Sequence, residues 1–219
     1  MKNIVVVIAH PDDEAFGPGG TIAKLAQENN VYLLCATKGE AGQNYSPYKE
    51  KKLSEIRCQE LINSAKILGV KKVYFLGFED GTLSNNLYHA LAEKIREHLK
   101  LLKPQMVITY ELHGISGHLD HIAVAFTTLY ACRDFPFIKQ IWQYGILKKY
   151  SVQRTDYFIY FPPGYKESEF DKIINTESVW KIKIKAMYQH KSQIRDVERI
   201  ALMQARLPKK EYFFVVKNK

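Results

Sequence analysis

Four short apolar runs, at residues 3–9, 31–37, 72–76 and 105–110, constrain the fold of this chain more than any other feature. They are mostly β-branched or aromatic, and each of the three gaps between them holds a helix-length amphipathic segment. That alternation predicts a mostly parallel sheet wrapped by helices. The helices are expected over residues 18–29, 49–68 and 85–102, with Gly69 and Pro104 as stop signals, and a fourth from Leu119 to Cys132. Beyond Arg133 the pattern changes. Strands are expected at 141–147 and 156–161, a break at Pro162-Pro163-Gly164, helices at 176–190 and 192–206, and a last strand at 212–216. With no internal repeat, low-complexity tract or flexible linker, the expectation is one α/β domain over 1–219, with residues 133–219 extending the same sheet.

Hydrophobic residues make up 46% and charged residues 25% of the 219, the balance of an ordinary globular chain. The longest apolar runs, Ile4 to Ala9 and Tyr32 to Ala36, fall far short of the roughly 20 residues of a membrane-spanning helix, so no span is expected. Met1-Lys2-Asn3 leads directly into the first strand without a secretory h-region, and a cytoplasmic location is expected. Cys35, Cys58 and Cys132 are widely separated and odd in number, a pattern of buried free thiols and not of a disulfide framework or a zinc knuckle. The net charge of +9 raises nucleic-acid binding as a reading. Its distribution argues against it. Six of the nine excess charges fall in residues 151–219, and the densest stretch, Lys181-Ile-Lys-Ile-Lys185, alternates lysine with isoleucine where base-stacking aromatics would be needed. A solvated face or the rim of a site for an anionic small molecule fits better.

In open parallel sheets, ligands bind beyond the carboxyl ends of the strands. Strand one ends in Ala9-His10-Pro11-Asp12-Asp13-Glu14, strand two in Thr37-Lys38-Gly39-Glu40-Ala41-Gly42, and strand four in a loop with His113, Ser116, His118, Asp120 and His121. One short polar residue would suffice to cap the helix after strand one. Four ionisable groups behind a proline exceed that need, and burying them is costly without a cation or another partner. Histidine nitrogens and carboxylates without cysteine suit zinc and other divalent ions, with His10 and Asp13 sharing one ion and His118 or His121 completing the set. Gly17-Pro18-Gly19-Gly20 lacks dinucleotide-fold spacing, no phosphate loop is present, and Gly114-Ile115-Ser116-Gly117 is one residue short of a nucleophile elbow.

Taken together, Ala9-His10-Pro11-Asp12-Asp13-Glu14 and Gly117-His118-Leu119-Asp120-His121 resemble the LmbE/PIG-L family of zinc-dependent de-N-acetylases. The resemblance continues through Thr37 to Gly42, the helix from Arg57 to Glu60 leading to Leu68-Gly69, the Gly77 to Leu83 loop and His190-Lys191-Ser192-Gln193. It implies a Rossmann-like three-layer fold and one Zn2+ per chain, held by His10, Asp13 and His121. Asp12 would be the general base toward a metal-activated water. His118 would stabilise the oxyanion and protonate the departing amine, with Asp120 holding it charged and oriented. Arg57 and Asp80 would line the sugar side of the pocket, with Glu40 and His190 in its wall or behind it; for Arg57 a surface ion pair with Glu60 is the alternative. The implied substrate is an N-acetylglucosamine-type conjugate, anionic if the basic excess bears on it. The homo-oligomers of relatives, trimers or hexamers, are the corresponding expectation here.

The chain departs from the pattern at Leu119, where many relatives have proline, and at Ser116, where some have a mobile tyrosine. The second change removes an oxyanion donor that His118 or Tyr110 would have to replace. Two other classes compete with amide hydrolysis: a metal-dependent phosphoesterase, which would call for more ligands, and a basic anion- or nucleic-acid-binding protein without catalysis.

Overall fold

The computed structural model describes residues 1–48, 50–151 and 160–218. The chain begins with β1 (Asn3–Ile8), the single turn α1 (Asp13–Phe16), α2 (Gly19–Leu25), β2 (Asn30–Cys35), α3 (Leu53–Ile67) and β3 (Lys72–Phe75). It continues with α4 (Tyr88–Leu102), β4 (Met106–Tyr110), the short α5 (Gly114–Gly117), α6 (Leu119–Cys132) and β5 (Gln140–Gly145). The last elements are β6 (Lys172–Asn175), α7 (Trp180–Met187), α8 (Ile194–Ala205) and β7 (Lys210–Lys217). The seven strands form one sheet in the order β3-β2-β1-β4-β5-β7-β6. The first five are parallel, whereas β7 runs antiparallel to both β5 and β6. Helices complete a three-layer α/β fold of the kind the sequence pattern predicts.

Strand β1 explains the layering. Ile4-Val5-Val6-Val7-Ile8 is at most 2% exposed at every residue, an unbroken apolar run that suits a central parallel strand covered on both faces. Helix α4 places Leu91, Ile95, Leu99 and Leu102 along one buried stripe and packs on α6 and β1. Helix α7 packs against both α2 and α3 in a second group. Consecutive strands diverge from the β1/β4 boundary, β2 and β3 to one side and β5 to the other. The carboxyl ends of β1 and β4 therefore border the topological switch point, where such sheets open a crevice.

The last third of the chain departs most from expectation. Residues 172–175 form an edge strand that a four-residue Lys-Ile-Ile-Asn run is too short to announce. Of the strand expected at 156–161, residues 156–159 lie outside the described residues, and Tyr160 and Phe161 are in no strand. The two late helices are shorter than their amphipathic patterns because each begins with a 3-10 turn, at Glu177–Val179 and Lys191–Gln193. Cys35 and Cys132 are buried free thiols, as expected, and Cys58 is half-buried. Among the described residues no helix is long and apolar enough to cross a membrane.

A buried ion pair joins this last third to the site. Lys183 Nζ on α7 lies 2.8 Å from Glu211 Oε1 on β7 and donates to the Gly17 carbonyl at 2.7 Å. Glu211 in turn accepts the Gly20 and Thr21 amides at 2.9 and 2.7 Å. A Cβ on Gly20 would sit 2.6 Å from Thr176 and 2.9 Å from Glu211, so only glycine permits this approach. With one partner removed, a buried charge is left uncompensated. Lys183→Met is therefore expected to lower the unfolding free energy by about 3–5 kcal/mol in urea titrations; a loss below about 1 kcal/mol would mean that Glu211 is satisfied by the two amides alone.

Candidate metal centre

After β1 the chain turns sharply through Pro11 and Asp12, and the backbone itself builds much of the site. Asp12 adopts φ 125°, ψ −26°, an unfavourable region for a residue with a Cβ. This turn brings the Asp13 carboxylate back to the strand end, where Oδ2 accepts the His10 amide at 2.8 Å and the Tyr110 hydroxyl at 2.6 Å. Tyr110, the last residue of β4, also accepts the Ala9 amide at 2.7 Å, and its ring stacks on His121 with centroids 4.4 Å apart. One tyrosine thus ties the end of β1 to the first turns of α6. With its hydroxyl committed to Asp13, Tyr110 is not placed as the oxyanion donor suggested as a substitute for the missing loop tyrosine.

His10, Asp13 and His121 each offer a ligand atom, and these lie within 4.8 Å of one another. Hydrogen bonding sets both tautomers. His10 Nε2 is 3.0 Å from Asp80 Oδ1 and 3.2 Å from Asp120 Oδ2, so this nitrogen carries the proton. His121 Nδ1 donates to the Gly114 carbonyl at 3.0 Å. The remaining nitrogens, His10 Nδ1 and His121 Nε2, face each other at 3.2 Å, with Asp13 Oδ1 3.3 Å from the latter. Two lone pairs at that distance beside a carboxylate require a proton or a metal ion between them. Burial opposes charge on His10, yet hydrogen bonds to Asp120, Asp13 and Asp80 outweigh it and hold the imidazole well above its ordinary pKa. Burial likewise opposes ionisation of Asp13, but His121 and His10 hold it well below the carboxylate range. The donor set of two imidazoles and one carboxylate fits zinc with one position left open.

Asp12 stands beside this cluster. Burial and the neighbouring Asp13 charge push its carboxyl up to about 7, against the opposing pull of Arg57. Arg57, 5% exposed on α3, donates to Asp12 Oδ2 at 3.0 Å and to the Gly39 and Pro11 carbonyls at 2.7 Å each. It does not pair with Glu60, which instead accepts the Ser192 amide and hydroxyl at 2.8 and 2.6 Å. Gly39, at φ 69°, is glycine because any Cβ there would collide with the guanidinium. Behind Asp12, the fully buried Glu14 accepts the Asp12 amide at 3.1 Å, the Ser64 hydroxyl at 2.5 Å and His190 Nε2 at 2.7 Å. His190 is therefore in the protein interior, completely shielded from solvent and turned to Glu14, and does not line an open pocket.

The remaining expected site residues divide between the cluster and its rim. Asp120, 1% exposed, accepts the Gly81 and Leu83 amides at 2.8 and 3.1 Å as well as His10. Its carboxylate is directed at those partners; what it offers His118 is its backbone amide, which donates to Nδ1 at 3.2 Å. Burial, then the proximity of His121 and His10, pushes His118 down to about 4, so it is neutral and not the imidazolium expected from the sequence. Asp80 accepts the Ala41 amide at 3.0 Å, and the exposed Glu40 reaches the Lys38 and Asp80 amides at 3.2 and 3.4 Å. An open cleft of about 330 Å³, lined by Lys38, Glu40, Gly77, Phe78 and Glu79, lies on this side. Glu14, Ser64 and Tyr110 were not singled out for their positioning contacts; Glu14 stood inside the first motif and Tyr110 at a strand's carboxyl end, which were the available signals.

Comparison with known proteins identifies the family. Residues 5–132 match the PIG-L family, described as GlcNAc-PI de-N-acetylase. The chain is 33% identical over 140 residues to a probable N-acetyl-alpha-D-glucosaminyl L-malate deacetylase 2 of Bacillus cereus, covering 62% of this chain and 63% of that one. It thus spans less than two thirds of that relative, and 57% of the Bacillus subtilis counterpart. The N,N'-diacetylchitobiose deacetylase of Pyrococcus horikoshii superimposes with a TM-score of 0.70 at 22% identity, covering 99% and 84% of the two chains. A 4-carboxy-2-hydroxymuconate hydratase from Pseudomonas putida gives 0.73 at 18% identity, covering 100% and 98%, so the shared fold does not by itself choose the chemistry. Because the family match spans more than half of the sequence, including both motifs that build the His/Asp cluster, the chain belongs to the PIG-L family of de-N-acetylases.

Proposed function

We propose that this protein is a zinc-dependent hydrolase that removes the acetyl group from an N-acetylglucosamine-type conjugate, with one ion held by His10, Asp13 and His121. The observation that carries the reading is the facing pair of imidazole nitrogens, 3.2 Å apart and flanked by the Asp13 carboxylate. When bound, a divalent ion there supplies Lewis acidity, lowering the pKa of a water toward about 7 and polarising the acetamide carbonyl. The names of the relatives support the substrate class, since they act on N-acetylated amino sugars joined to malate or to a second sugar.

The chain's own groups account for the proton transfers. Arg57 holds Asp12 Oδ2, which leaves Oδ1 to accept a proton from the attacking water. A carboxyl poised at about 7 suits a base that must later give that proton to the departing amine. His118 acts as a neutral donor: with Nδ1 accepting the Asp120 amide, Nε2 carries the hydrogen and can bond the carbonyl oxygen as negative charge develops. Arg57 serves the base in this scheme, and the sugar hydroxyls fall to Asp80 and the cleft beside Glu40. That cleft sets Lys38 against Glu40 and Glu79, so the basic excess of the chain is not concentrated where the acceptor group would lie.

Metal analysis of purified protein is expected to find about one zinc per chain, consistent with a three-ligand site. His10→Ala and His121→Ala should each abolish that content; full retention in both would remove the ligand set. Asp12→Asn should retain zinc yet lose at least about 100-fold in acetate release from an N-acetylglucosamine conjugate, the scale of general-base catalysis. Wild-type turnover in Asp12→Asn would show that another group takes the proton.

A further inference from the structure

A buried glutamate outside both histidine motifs is linked to the metal cluster through a single peptide group. Glu111 directly follows β4 and is 2% exposed. Its Oε1 accepts the Ile115 amide at 2.8 Å, while Oε2 accepts the His113 amide at 2.8 Å and the Tyr165 hydroxyl at 2.7 Å. The Ile115 amide belongs to the same peptide plane as the Gly114 carbonyl, and that carbonyl accepts His121 Nδ1 at 3.0 Å. The carboxylate grips one end of a rigid plane whose other end orients the imidazole.

The backbone around this plane is strained. Ile115 adopts φ 66°, ψ −55°, close to the γ-turn of positive φ, which is rare for any residue and an outlier for a β-branched one. Such a conformation persists only where its surroundings over-determine it. Here the surroundings are Glu111 and two nearby glycines, Gly114 directly before Ile115 and Gly117 two residues after it. Gly114 has φ 65°, and a Cβ on it would lie 2.8 Å from the His121 Cβ and 3.0 Å from the Ile122 amide nitrogen.

Resting on the reading of His121 as a metal ligand, we propose that Glu111 is its positioning residue, acting through the Gly114–Ile115 peptide, with Tyr165 steadying the carboxylate. A metal-bound histidine commonly gives its second N–H to a carboxylate or carbonyl, which fixes its tautomer and raises its basicity. In this chain a peptide stands between the two groups. The negative charge on Glu111 polarises the peptide toward its oxygen and strengthens the Gly114 carbonyl as acceptor. Between the two neutral tautomers the form with hydrogen on Nδ1 is thereby favoured, and Nε2 is aimed at the Asp13 side.

The test is zinc affinity, measured by competition with a chromophoric chelator, alongside thermal melting of the metal-free chain. Glu111→Gln is expected to weaken zinc binding at least about tenfold, because its amide cannot serve all three donors. Tyr165→Phe should weaken it about threefold, a smaller effect since the Ile115 bond survives. Glycine occupies positive φ freely, so in an Ile115→Gly background the Glu111→Gln loss should shrink. Unchanged affinity in folded Glu111→Gln would overturn the proposal, as would equal losses with and without Ile115→Gly. If Glu111→Gln does not fold, unchanged affinity in Tyr165→Phe overturns it instead. Failure of the wild-type chain to bind zinc would strike the metal reading itself, a result distinct from these.

Discussion

The structure is organised around a surplus of buried negative charge at one edge of the sheet. Asp13, Asp80 and Asp120 lie against His10 with Asp12 beside them, and of these four carboxylates Arg57 bonds only that of Asp12. Isolated carboxylates cannot remain ionised in such a place, so each has been given donors. Asp13 receives the His10 amide and the Tyr110 hydroxyl; Asp120 receives two amides from the loop after β3; Asp80 receives the Ala41 amide. These bonds draw the loops after β1, β2, β3 and β4 together. The apolar sheet supplies the platform, and the need to give four largely buried carboxylates hydrogen-bond donors sets the loop conformations above it.

Much of this was legible in the sequence, for reasons that differ by element. The unbroken Ile4 to Ile8 run could be read as a central parallel strand because burial on both faces removes alternation. His10 and Asp13 could be grouped with a histidine of the loop after β4 because they follow the strands that flank the switch point. Topology left His118 and His121 as alternatives, and only the family resemblance singled out His121. Pairings across long separations were not legible. Arg57 had Glu60 as a partner at helical spacing, but the path of the chain past Gly39 brings it to Asp12 instead. His190 lies 176 residues from Glu14, and only the packing of α7 against α1 joins them. Asp120 sits beside His118 in sequence, yet the amides of Gly81 and Leu83 compete successfully for its carboxylate.

That distinction matters for chemistry. A similar fold is also found in a hydratase that superimposes over nearly its whole length, so the fold provides a crevice without specifying a reaction. What narrows the reaction is the direction of individual lone pairs. The protonated His10 Nε2 and His121 Nδ1 face protein acceptors, which leaves the opposite nitrogens facing each other. A histidine turned the other way would keep the fold and lose the donor set.

Backbone strain shows how that direction is maintained. Three non-glycine residues among those described have positive φ, and Lys103 is an ordinary left-handed helix end, with its amide on the Leu99 carbonyl. The other two, Asp12 and Ile115, flank the cluster in the loops after β1 and β4. Each has its amide held by a buried glutamate, Asp12 by Glu14 and Ile115 by Glu111. Each conformation costs about 1–3 kcal/mol, which a charge-assisted hydrogen bond of comparable size offsets. The two glutamates do for the peptide groups what Tyr110 and Arg57 do for the carboxylates. Strain and compensation fall on the two loops that border the switch point, because there the chain must turn side chains back toward the sheet edge rather than follow the relaxed path into the next helix.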